Sequence, residues 1–202
     1  MEWEWIAAVT GFALAMAGTP GPNNTMVTAS GANHGFRRTL PFLSGIAIGV
    51  AIIMLVVAGV GSSLVSAPGI RTVMKWAGLL YLLWLAWRIG GARPKAEGAA
   101  QLETTPLTLM QGALFQLVNP KLWAMVAGTV ATYGGTAESI GPFAIAITFA
   151  IIFGVATLAS TVAWTLVGVG AGRFIKSDRA MRLFNWTMAA LLVLSLIPVL
   201  VE

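Results

Sequence analysis

Apolar residues fall in six long blocks along the chain, at about 4–30, 39–66, 70–90, 108–133, 140–170 and 181–201, separated by short breaks rich in charge, proline and glycine. No Asp, Glu, Lys or Arg occurs from Ile6 to Phe36, from Thr39 to Ile70 or from Ser139 to Gly172. Crossing ~30 Å of hydrocarbon takes roughly 20 residues of helix, so each interval is long enough. The pattern predicts an all-α integral membrane protein with six transmembrane helices. The opening residues, Met1-Glu2-Trp3-Glu4-Trp5, lack the basic region of a cleaved signal peptide, and the N-terminus is expected to be retained.

The stretch Gly90–Thr105 (GGARPKAEGAAQLETT) has no apolar periodicity and reads as a linker. It divides a single transmembrane transporter domain, 1–202, into a first repeat at 1–90, a cytoplasmic linker at 91–107 and a second repeat at 108–202. Each half holds three blocks. Since three is odd, related halves must insert in opposite orientations, the inverted-repeat plan of many secondary transporters. The halves share a landmark, because the first helix of each is broken: by Thr19-Pro20-Gly21-Pro22-Asn23-Asn24 in one and by Asn119-Pro120-Lys121 in the other.

Composition sharpens this picture. Of 202 residues, 57% are hydrophobic and only 9% charged, against roughly 25% charged in soluble domains, which excludes an ordinary soluble fold. The net charge of +5 does not point to nucleic acid, since the positive residues form no basic stripe and accompany no stacking module. They report orientation instead. Arg37 and Arg38, then Arg88, Arg93 and Lys95, then Arg173, Lys176, Arg179 and Arg182 follow the first, third and fifth blocks, whereas Arg71 and Lys75 lie on the other side. The positive-inside rule places both termini outside the cytoplasm. Zero cysteines and one histidine argue against disulfides, thiol relays and a conventional metal centre, so neither cofactor nor metal is expected.

Two prolines and a glycine in the first block remove backbone donors and unwind the helix, leaving polar backbone that hydrocarbon cannot satisfy. Such a break must face protein or water. The amides after Pro22 form a positive helix N-terminus suited to a carboxylate, to which Asn23 and Asn24 add donors and acceptors. A simple kink or a loop at the membrane edge is the plainer reading, but the cluster lies mid-block and is echoed in the other half.

Lys121 is the one charged side chain deep within a block. Were Asn119-Pro120-Lys121 at the membrane edge, the remaining run to Tyr133 would be too short to cross. An unpaired ammonium at that depth costs at least ~2.5 kcal/mol, so it should face the interior with partners; snorkelling to a headgroup is the plainer alternative. Every carboxylate (Glu2, Glu4, Glu97, Glu103, Glu138, Asp178, Glu202) lies at a terminus or in a break. The anion that pairs with Lys121 is therefore expected to be the substrate. A cationic substrate would find no counter-group, which favours neutral amino acids or similar carboxylates.

Gly45 with Gly49, and Gly168-Val169-Gly170-Ala171-Gly172, have the small-residue spacing of closely packed membrane helices and would permit a homodimer. Trp76, Tyr81, Trp84 and Trp87 suit an aromatic belt, although Tyr81 offers a hydroxyl and Trp164 a cation-attracting face. His34 and Arg37 read as anchors. No Ser/His/Asp, His/carboxylate or metal constellation exists at membrane depth, which argues against an enzyme.

The chain resembles the RhtB/LysE family of bacterial amino-acid exporters over nearly its whole length. The resemblance is carried by Thr19-Pro20-Gly21-Pro22-Asn23-Asn24, Asn33-His34-Gly35-Phe36-Arg37, Trp76-Ala77-Gly78-Leu79-Leu80-Tyr81-Leu82 with Trp84-Leu85-Ala86-Trp87, and Gln116-Leu117-Val118-Asn119-Pro120-Lys121. It is nearest the cysteine/O-acetylserine exporter branch. It implies export of amino acids or close derivatives from the bacterial cytoplasm in exchange for protons, and together with the charge rule it predicts a multi-pass protein of the bacterial inner (plasma) membrane with both termini periplasmic. Many relatives have an aspartate in the fifth block where this chain reads Ala156-Thr157-Leu158-Ala159-Ser160, so that any role of that carboxylate is vacant here. Lys121 is the remaining candidate for the proton carrier, since desolvation penalises its charged form.

The expected function is secondary active export of neutral amino acids or close derivatives by proton antiport with alternating access. The expected substrate-binding residues are Pro20, Gly21, Pro22, Asn23, Asn24, Tyr81, Gln116, Asn119, Pro120, Lys121 and Thr157. A passive channel or lipid-handling membrane protein is the alternative, because it too could use broken helices and interior polar groups.

Overall fold

The computed structural model describes residues 2–60, 76, 80, 83–87, 89–91, 105–134, 141–175 and 177–194. Among these, all regular structure is helical. The first block is two helices, α1 (Glu2–Gly18) and α2 (Pro22–His34), and the second is α3 (Phe36–Val60). Helical residues between 76 and 90 belong to the third block, and Trp76 and Trp87 within it are exposed. The fourth block is α4 (Leu109–Phe115), a 3-10 turn (Gln116–Val118) and α5 (Pro120–Tyr133). Then follow α6 (Pro142–Phe174) and α7 (Asp178–Leu194).

Local chemistry accounts for these boundaries. Pro22, Pro120 and Pro142 open α2, α5 and α6, where a missing N–H costs nothing. Thr108 and Gln111 form a capping box on α4, the Gln111 amide donating to Thr108 Oγ1 at 3.2 Å and the Thr108 amide to Gln111 Oε1 at 2.9 Å. Gly35, at φ 81°, ends α2 in the left-handed region that a Cβ would strain. Two helices, Phe36–Gly59 and Pro142–Phe174, are by length and composition able to cross a membrane unaided.

Expected block 4–30 extends to residue 34 and is interrupted at Thr19–Gly21, and block 108–133 is interrupted at Asn119. The two breaks lie against each other. One apolar cluster joins Trp5, Val9 and Ala13 of α1 to Val50–Val57 of α3, Leu122–Val126 of α5 and Ile145–Phe153 of α6. A second joins Met26 and Val27 of α2 to Phe42–Ile46 of α3, Leu85, Phe115 of α4 and Leu192 of α7, with Val162 and Trp164 of α6 against it. Along the chain, α1–α2 passes from the first cluster to the second and α4–α5 from the second to the first, so the two broken elements run in opposite directions. The long helices α3 and α6 are likewise opposed. Each element changes cluster at the level where the buried polar residues Asn24, Gln116, Asn119 and Thr157 collect.

Glycine permits the closest approaches. A Cβ on Gly168 would strike the backbone carbonyl of Thr28, and one on Gly45 the carbonyl of Leu109, so α2 meets α6, and α3 meets α4, at backbone distance. Close packing is the role of Gly45, Gly49, Gly168 and Gly172, whereas Gly170 faces open space.

Candidate functional site

Unwinding between α1 and α2 frees the last carbonyls of α1, and each is accounted for. The Ala17 carbonyl accepts from Asn24 Nδ2 at 2.8 Å and Ser160 Oγ at 2.7 Å, and the Gly18 carbonyl accepts from Trp164 Nε1 at 3.2 Å. The Thr19 carbonyl accepts from Asn24 Nδ2 at 2.9 Å and Lys121 Nζ at 2.7 Å. Lys121 Nζ also donates to Thr19 Oγ1 at 2.8 Å and reaches the Pro20 carbonyl at 3.5 Å. A cation here sits at the negative end of the α1 dipole. Lys121 thus has carbonyl and hydroxyl partners of its own, and among the described residues no carboxylate bonds to it.

The second break is fastened to the first through amide side chains. Asn23 Nδ2 donates to Gln116 Oε1 and Gln116 Nε2 to Asn23 Oδ1, both at 3.1 Å. Asn119 Nδ2 donates to Gln116 Oε1 at 3.1 Å and to Asn23 Oδ1 at 3.3 Å. Asn119 Oδ1 in turn caps α5 by accepting from the Lys121 amide at 3.2 Å. By contrast α2 has no side-chain cap, so the amides of Asn23 and Asn24 head that helix as donors available to an anion.

These groups border one cavity of about 30 Å³, lined by Gly21, Asn23, Asn24, Asn119, Lys121 and Thr157 together with Met16, Ala17, Val50, Leu122, Met125 and Ser160. That is room for about two waters. Of the expected site residues, six line it, while Pro20, Pro22, Gln116 and Pro120 shape the breaks beside it. Tyr81 lies outside the described residues. Sequence reasoning missed Thr19 and Ser160. Thr19 directly precedes the first proline, and Ser160 is one helical turn beyond Thr157, which is the spacing that puts both on one face of α6. Trp164 has its indole N–H on the Gly18 carbonyl.

The chain has recognisable relatives. A family model described as LysE type translocator matches residues 14–197. The cysteine/O-acetylserine efflux protein of Klebsiella pneumoniae is 33% identical over 199 residues, covering 98% of this chain and 97% of the relative. The protein of that name from Escherichia coli K12 is 36% identical over 118 residues, 58% of this chain and 59% of the relative. No solved structure matches.

Proposed function

Because the chain belongs to the LysE type translocator family, we propose that it is a secondary active exporter of small neutral amino acids of the cysteine/O-acetylserine class, working across the bacterial inner membrane by proton antiport and alternating access. Six spans in two inverted repeats of three, with both termini periplasmic, are the proposed arrangement. The opposed courses of α1–α2 and α4–α5 between the two apolar clusters support it.

The observation that carries the reading is that both helix breaks converge on one small polar cavity holding Lys121, between two apolar clusters. A free amino acid carries one positive and one negative group, and the first break presents both helix ends side by side: the carbonyl end of α1 and the amide end of α2. Asn23 and Asn24 offer backbone amides to the carboxylate while their side chains hold the breaks in place. Asn119 and Gln116 complete that fastening, Thr157 and Ser160 form the α6 wall, and the cavity's size favours a small side chain. Lys121 is the proposed carboxylate partner and proton carrier.

The test is export of labelled cysteine and O-acetylserine from vesicles reconstituted with the purified protein under an imposed pH gradient. Lys121→Met is expected to abolish gradient-driven flux while the protein still purifies folded. Flux that is unchanged in this variant, or that runs only downhill in the parent, would sink the reading.

A further inference from the structure

Lys121 occupies the ground on which a substrate should sit. Its Nζ fills a three-point acceptor set made by the Thr19 carbonyl, Thr19 Oγ1 and the Pro20 carbonyl. Its stem lies across Gly21, where a Cβ would fall 2.8 Å from Lys121 Cδ and 3.1 Å from Nζ. With Lys121 in place a cavity of about 30 Å³ lies beside it, so the acceptor set opens to another ammonium only when the lysine moves. Thr19 and Pro20 are exposed, and polar backbone at that depth must face water or protein rather than hydrocarbon. The acceptor set is thus reachable by a ligand, and an ammonium already fits it.

We propose that the Thr19 and Pro20 carbonyls form an ammonium site, held by Lys121 Nζ in the empty protein and by the α-ammonium of the substrate during transport. This rests on the amino-acid export reading and assigns the second charge of the substrate to a site. The lysine is a tethered competitor: an incoming ammonium displaces it, and the freed Nζ turns to the substrate carboxylate beside the Asn23 and Asn24 amides. Charge is conserved in the exchange, since one ammonium replaces another at the carbonyls and the displaced one is neutralised by the carboxylate that arrives with its rival. An amine without a carboxylate would displace Lys121 and leave it unpaired. A carboxylate without an amine could not displace it. The swap therefore selects for both groups on one molecule, with no acidic side chain among the described residues of the site.

The experiment measures binding of cysteine, of cysteamine (the same molecule without its carboxylate) and of 3-mercaptopropionate (without its amine) to the full-length protein in lipid nanodiscs. The parent is expected to bind cysteine at least about tenfold more tightly than either fragment, the scale of one charged hydrogen-bonded contact. In Lys121→Met the competitor is gone, so cysteamine should bind at least about tenfold more tightly than to the parent, and cysteine should lose its advantage over cysteamine. Lys121→Leu, which likewise removes the competing ammonium, should move cysteamine binding in the same direction, and it serves if Lys121→Met fails to fold. Equal cysteamine affinity in the parent and in the folded variants overturns the swap. Should the parent bind no cysteine, the export reading fails on its own, while the cysteamine comparison still decides whether Lys121 guards an ammonium site.

Discussion

Fastening of the two helix breaks to each other can be measured through the amide pair Asn23 and Gln116. Gln116 is fully buried and its side chain takes part in four hydrogen bonds: two with Asn23, one with Asn119 and one from Nε2 to the Gly112 carbonyl at 3.1 Å. Gln116→Ala leaves Asn23 and Asn119 short of partners beside a cavity, and at ~1–3 kcal/mol for a buried group so stranded the expected loss is about 2–4 kcal/mol. Asn23→Ala, at a half-buried position, should cost less. The informative quantity is their coupling. Hydrogen bonds between membrane helices average ~0.6 kcal/mol and reach ~1.7 by double-mutant cycle, so two reciprocal bonds predict about 1–2 kcal/mol. Unfolding of the parent, both single variants and the double variant, titrated with SDS in mixed micelles and followed by tryptophan fluorescence, gives all four corners of the cycle. Additivity within ~0.5 kcal/mol would refute the claim that these amides tie one break to the other.

Further substitutions separate packing from polar bonding. Gly168→Ala drives a methyl into the Thr28 carbonyl and should lower stability by at least ~1–3 kcal/mol, whereas Gly170→Ala, with open space at its Cβ, should be neutral or gain up to ~1 kcal/mol in helix propensity; both are read as thermal midpoints in detergent. Asn185 is fully buried and exchanges amide hydrogen bonds with Asn33, at 2.8 Å in one direction and 3.2 Å in the other. Asn185→Leu should cost ~1–3 kcal/mol in the same assay while leaving cysteine affinity unaltered, because this pair lies apart from the cavity.

Much of the fold was legible because membrane burial writes itself in long charge-free runs and in proline. Pro20, Pro22 and Pro120 marked both interruptions, since a residue without an N–H cannot continue a helix. Lys121 stood out for the same kind of reason, as a charge where charge is costly. What the chain did not disclose is how those groups are spent. Asn23 and Asn24 read as donors for a ligand, yet their side chains are engaged with Gln116, Asn119 and the α1 carbonyls. Partnership of this kind depends on elements far apart in sequence, and periodicity carries no information about it. Lys121 illustrates the same limit. Its acceptors are the Thr19 hydroxyl and the backbone carbonyls of Thr19 and Pro20, and carbonyls are atoms every residue possesses and no sequence singles out.

The glycine crossings bear on how such a molecule would move. Where α2 lies on α6 at Gly168 and α3 on α4 at Gly45, backbone meets backbone, and these are points about which one helix can turn over the other. At the opposite end, Trp5 of α1 stacks on Phe149 of α6 at 5.6 Å and Phe12 of α1 meets Phe153 of α6 edge-on at 6.4 Å, contacts that must break for the two helices to part. If the halves rock as proposed, the close crossings would serve as the fulcrum and the ring contacts between α1 and α6 as the latch. Bulk added at the former should jam the pivot, and bulk removed from the latter should spring it open.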